Sequence, residues 1–237
     1  MQDWGLDIEG RLSAACARTP TGRALTGRGR NTRLRLLQAV VDCLNSLGYA
    51  ATTTQAVAEL AGASRGSLLH QFPTRVHMMA AAADHAMALM IADSRARFGQ
   101  IGSPVERLRQ FCHVIEATQR QPAAQALNEI LLASRWEEGL AGPLRKVTEN
   151  VERIMDADIR RMALEAGVTS PDALRVRTRA IIAAMRGFAI ELLFNADRAV
   201  THQAIAVIRA DYDRFLNGIL PRVEQEGGPA SHSPASG

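Results

Sequence analysis

No apolar run in the 237-residue chain approaches the roughly 20 residues that cross a bilayer, which excludes a helical membrane-spanning protein. The N-terminus lacks a continuous hydrophobic segment of signal-peptide type, so the expected compartment is the cytoplasm. Cysteine is scarce and odd in number: Cys16, Cys43 and Cys112 share no metal-ligand or redox-motif spacing and read as plain thiols. His70, His77 and His85 have no Cys, Asp or Glu at helical spacing to complete a tetrahedral set, and there is no HExxH. Neither a GxSxG elbow nor a glycine-rich phosphate loop is present. The expectation is therefore no metal, no cofactor and no catalytic residue. Alternating strand patterns are absent, and aromatics make up only 4% of the chain. What remains is an all-α protein of about nine helices.

The other helices are organised around the stretch from Thr52 to Arg75, TTTQAVAELAGASRGSLLHQFPTR. Thr52 is placed to cap a short helix, with Gln55 as its capping-box partner and Ala56, Val57, Leu60 and Ala61 as its apolar face. Gly62 stops that helix, because the residue past a helix end often needs positive φ. Ser64 then caps a second helix whose inward residues are Leu68 and Phe72, and Pro73 ends it. Ala58 and Leu68 flank Gly62 at the internal spacing of a DNA-binding helix-turn-helix.

From Arg33 to Met79 the chain resembles the DNA-binding domain of the tetracycline-repressor (TetR) family of transcriptional regulators. The matching residues are LRLLQAVVDCLNSLGY, the Thr52-Thr53 pair, VAELAGAS, RGSLLHQF, and Thr74-Arg75 opening the next helix. Two positions depart from the family pattern: Leu69 stands where a phosphate-touching Tyr is usual, and Val76 where an acid often follows. The resemblance implies a sequence-specific DNA-binding regulator, most often a repressor, that is homodimeric and released by a small-molecule effector. Its DNA-facing residues would be Thr52, Thr53, Ser64, Arg65, Gly66, Ser67, Leu69, His70 and Arg75. Arg65 suits bidentate bonding to guanine, and Leu69 suits a thymine methyl. Gly66 permits close backbone approach, and Arg75 with Thr52 and Thr53 suits phosphates.

Charge agrees with that placement. Residues 1–80 hold nine arginines against five acids, whereas the remainder is balanced at nineteen of each sign. Basic excess near a helix-turn-helix drives association by counterion release. No acid separates Glu9 from Asp42, so residues 1–30 read as a flexible basic arm leading into a helix from about Thr32 to Leu47. Its stripe of Leu34, Leu37, Val40, Val41, Leu44 and Leu47 is to pack on the next two helices. Residues 31–80 form the expected DNA-binding domain, 81–220 a helical effector-binding and dimerisation domain, and 221–237 a disordered tail.

The second region begins with a long helix from Thr74 to about Phe98, the expected link between DNA and effector. Thioethers suit a pocket for a largely apolar effector, and the candidate lining is Met87, Met90, Phe111, His113, Trp136, Met155, Met162 and Met185. The helices Leu174–Asn195 and Thr201–Leu220 are the expected dimerising pair, forming a four-helix bundle with their copies. Two other classes stay open: a ligand- or protein-binding helical adaptor without DNA binding, and an all-α enzyme.

Overall fold

Residues 26–221 are described by the structure, a computed structural model, and they form ten α-helices with no strand among them. The first 25 residues of the expected arm, with Cys16, lie outside the described residues, as does 222–237 of the expected tail. In chain order the helices are α1 Gly27–Ala51, α2 Thr54–Leu60, α3 Arg65–Gln71, α4 Arg75–Gly99 and α5 Pro104–Arg109. There follow α6 Phe111–Gln119, α7 Pro122–Ala133, α8 Ala141–Glu165, α9 Pro171–Phe194 and α10 Ala199–Ile219.

Helix α1 begins five residues before the expected Thr32. Thr26 caps it, its Oγ1 accepting from the Gly29 amide at 3.2 Å. Leu36, Leu37, Val40, Val41 and Leu44 face inward as a 3.6-residue stripe demands. Leu34 and Leu47, expected on that stripe, are 38% and 53% exposed, because they lie at its edges. Gly48 breaks the helix as expected, with φ 75° and ψ 174°, and turns the chain into α2. A tenth helix beyond the nine expected arises because the backbone breaks at Gln110, whose ψ is 0°, and separates α5 from α6. Pro143 sits in the first turn of α8, where its missing N–H costs nothing.

Two hydrophobic cores result. The first joins α1, α2 and α3 to the front of α4, to α7 and to Leu140 and Leu144. It runs across the expected division at 80/81, because Leu127 and Ile130 of α7 are packed into it. The second gathers Phe98, α5, α6, the rear of α8, α9 and α10 around Phe111 and Tyr212. Each buried leucine or phenylalanine contributes roughly 1.5–3 kcal/mol, so both cores are substantial. Helix α4 runs from one core into the other, with Met78 and Met79 in the first and Phe98 in the second. No helix among the described residues is long and apolar enough to cross a membrane.

Candidate nucleic-acid interface and ligand cavity

The turn between α2 and α3 is built from short-range chemistry. Thr53, not Thr52, caps α2, its Oγ1 accepting from the Ala56 amide at 3.1 Å. Gly62 has φ +58°, and the Ala63 amide donates back to the Ala58 carbonyl at 2.9 Å. That left-handed geometry suits glycine alone. Ser64 caps α3 through the Ser67 amide at 3.1 Å, and Phe72 ends it, fully buried. Only Leu68 and Gln71 of α3 are buried. Arg65, Gly66, Leu69 and His70 are exposed and Ser67 is half-buried, so these expected DNA-facing residues share the outward side of α3 with the Thr53 cap nearby.

Helix α1 holds α3 from behind. The buried Arg33 guanidinium donates to the Gln71 carbonyl at 3.0 Å and lies over the Phe72 ring, 4.4 Å from its centroid. A cation at the C-terminal end of α3 also meets the negative pole of its dipole. Gln71 donates from its amide to the Gly29 carbonyl at 3.4 Å. Residues expected in a loose arm are thus fastened to the last turn of α3. Arg28, Arg30 and Arg35 are exposed on the same end of α1. Arg28 and Arg30 were expected in the basic arm; their place on a helix was not legible, since Gly27 and Gly29 are poor helix formers and no apolar stripe precedes Leu34.

Two expected phosphate contacts are corrected. Thr52 is fully buried and spends its hydroxyl on the Gly48 carbonyl at 2.7 Å, so its side chain is out of reach of DNA. Arg75 is turned inward. It donates to the Tyr49 carbonyl at 2.6 Å, to the Thr52 carbonyl at 3.3 Å and to Glu137 at 2.9 Å. Its guanidinium also covers the Tyr49 ring at 4.1 Å. Arg75 therefore ties the α1–α2 turn to the segment after α7. That tie is one of three: Glu129 of α7 accepts from the Tyr49 amide at 3.0 Å, and Asn45 donates to the Pro122 carbonyl at 3.0 Å.

A cavity of about 100 Å³ lies where the two cores meet. Helix α4 lines it with Met87, Met90, Ile91, Ser94, Arg95 and Phe98, and α6 with Phe111, Ile115, Thr118 and Gln119. Leu127 comes from α7, Val151, Met155, Asp158, Ile159 and Met162 from α8, and Ile182 and Arg186 from α9. Five expected lining residues are there: Met87, Met90, Phe111, Met155 and Met162. Three are not. His113 points away, exposed, because it sits one residue past Cys112 on the opposite face of α6. Trp136 follows the end of α7 and is 69% exposed, and Met185 is spent inside the second core.

The polar lining escaped sequence reasoning, for its residues look like ordinary surface charges at helical spacing. Arg95 grips Asp158 with two bonds, 2.8 and 2.9 Å, and Arg161 reaches the same carboxylate at 2.9 Å. Burial lifts the Asp158 carboxyl above its ordinary pKa, although both arginines pull against it. Gln119 is buried with no partner for its Oε1. No group of three His, Cys, Asp or Glu able to hold a metal occurs among the described residues.

Helices α9 and α10 keep an outward apolar side. Val176, Leu193 and Phe194 are exposed on α9, Val200 and Val207 on α10, and Phe194 is 87% exposed. Gly187 lies on the open face of α9, with nothing within 4 Å of the position a Cβ would take. Ile181, Ile182, Met185 and Leu192 of α9 are packed within this subunit.

Residues 36–82 match the family model described as bacterial regulatory proteins, tetR family. The HTH-type transcriptional regulator CymR of Pseudomonas putida is 23% identical over 201 residues, covering 83% of this chain and 98% of that protein. The fold is shared with a TetR-family transcriptional regulator of Rhodococcus sp., at TM-score 0.59 and 20% identity, over 78% of this chain and 99% of the other. It is shared also with the regulator FadR of Bacillus subtilis, solved with stearoyl-CoA. That likeness has TM-score 0.56 and 13% identity, over 78% of this chain and 98% of the other.

Proposed function

We propose that this chain, a TetR-family regulator by its residues 36–82, is a homodimer that binds an operator through α3 and leaves it when an effector fills the cavity. One observation carries the DNA half. Helix α3 spends Leu68 and Gln71 on the interior and keeps Arg65, Gly66, Leu69 and His70 outside, on a helix capped at Ser64 and clamped by Arg33. In a major groove Arg65 would read guanine, Leu69 would meet a thymine methyl, and Thr53 with the exposed Arg28, Arg30 and Arg35 would take phosphates.

Dimerisation would use α9 and α10. Val176, Ala180, Ala183, Gly187 and Phe194 lie on the exposed side of α9 at steps of three and four residues, or a multiple of them. Small side chains in the middle of that row allow close helix approach, and the large exposed ones at its ends need cover. Two heads placed about 34 Å apart would then meet successive major grooves of a near-palindrome.

Release would follow from helix α4, which carries Arg75 and Met78 at the head and Met90, Arg95 and Phe98 at the cavity. An effector favouring one position of α4 shifts the heads only by its differential affinity for the two states. Helix α7 offers a second connection, since Leu127 lines the cavity while Glu129 holds the Tyr49 amide. The proposed regulator works in the cytoplasm and has no catalytic role. Sequencing of genomic fragments retained by the purified chain tests the reading. A shared near-palindromic motif is the expected result, and the retention of no fragment would leave the adaptor reading in its place.

A further inference from the structure

We propose that the cavity takes an apolar carboxylate, with Arg186 as the group that meets its charge. This rests on the reading of the cavity as the effector site. Three ionic side chains line the cavity, Arg95, Asp158 and Arg186. Asp158 is already committed to Arg95 and Arg161, both within 2.9 Å. Arg186 has no acidic partner among the described residues, and its Nε is buried without any hydrogen bond. Burial, and then the like charge of Arg179, hold the Arg186 guanidinium below its ordinary pKa. An arginine stays protonated regardless, so a half-buried positive charge without an acidic partner stands at this wall.

A second polar group lies at the same wall. Gln119 is only 3% exposed, lines the cavity, and leaves its side-chain Oε1 unbonded. That acceptor cannot bond a carboxylate, so Gln119 would serve one only through its Nε2 donor, beside the guanidinium. Apart from Ser94 and Thr118, the rest of the wall is methionine, isoleucine, phenylalanine, leucine and valine, which accept a hydrocarbon body, the methionines adapting to its shape. At about 100 Å³ the space suits a short chain or a single ring, with the thioethers yielding to somewhat more. A cationic or sugar-like ligand would meet the wrong charge or too few polar partners.

The test needs no DNA. Melting of the full chain is followed with hexanoate, octanoate and decanoate, and with the alcohol and the amine of each length. Carboxylates are expected to bind about tenfold or more tightly than the matching alcohols, and amines not to bind. Arg186→Met should abolish the advantage of carboxylate over alcohol while leaving alcohol binding in place. Gln119→Leu should reduce that advantage in part. Equal shifts from carboxylate and alcohol, a preference for amines, or no shift with any carboxylate would overturn the assignment, even if Arg186→Met failed to fold. A carboxylate that binds through Arg186 but does not release DNA would sink the regulator mechanism and leave the ligand class standing.

Discussion

Replacing Arg75 by alanine separates two roles that the same residue would have in the sequence and in the fold. As a phosphate contact it would cost DNA affinity, lower the salt slope by about one unit, and leave stability alone. The structure gives it internal work instead. The charge-assisted bond to the Tyr49 carbonyl, 2.6 Å long, is worth about 1.5 kcal/mol. Stacking on the Tyr49 ring adds about 0.5–1 kcal/mol. The pair with Glu137 is about a quarter exposed on each side, so screening limits it to well under 1 kcal/mol. The bond to the Thr52 carbonyl, at 3.3 Å, adds little. Tyr49 also accepts from the Thr52 amide at 3.3 Å, so its carbonyl is not wholly orphaned by the loss. The sum is about 2–3 kcal/mol. Urea unfolding of the full chain should then show a midpoint lowered by about 1 M. Operator binding should weaken without a change in salt slope, because the heads lose order rather than charge. Arg75→Lys should recover only a small part, since one ammonium cannot serve three acceptors and a ring together. Unaltered unfolding combined with a slope reduced by one unit would refute the internal assignment.

Other consequences are more local. Arg65→Ala should relax operator specificity by roughly 1–3 kcal/mol at one base pair and leave melting unaltered, as competition between selected and scrambled duplexes would reveal. Gly187→Arg places a long cation on the open face of α9, where a single subunit accommodates it. Sedimentation at micromolar concentration should therefore find a folded monomer, and a dimer there would move the interface off α9. Cys43 and Cys112 are buried free thiols, and burial pushes Cys112 up to about 12. Neither should react with iodoacetamide near neutral pH until the chain is unfolded; rapid labelling of Cys112, mapped by mass spectrometry, would contradict its burial.

The helix-turn-helix was legible because its signals are local. Gly62, Ser64 and Pro73 each act on backbone within a few residues, and all three do in space what their spacing requires. Arg33, Thr52 and Arg75 were not legible. Their partners lie 38, 4 and up to 62 residues away, and a guanidinium that stacks inside looks in sequence like one that faces solvent. For Thr52 the difficulty was a choice between adjacent threonines, one residue of register deciding which hydroxyl caps α2. The cavity divides in the same manner. Its methionines could be named from composition, since an Ala- and Met-rich helix must turn them somewhere. Arg95, Asp158 and Arg186 could not, because a charge at a helix surface announces its burial only once the neighbouring helices are in place. His113 and Trp136 were chosen for chemistry without a helical phase to fix their direction.

The central claim is that α3 reads DNA in a paired head. A hydroxyl-radical footprint of the full chain on a selected genomic fragment, repeated across a salt series, tests it most directly. The account predicts two protected half-sites centred about one helical turn apart, fading together as salt rises, and losing sequence preference in Arg65→Ala. Protection without sequence preference, or one half-site alone at concentrations where the chain is dimeric, would contradict it.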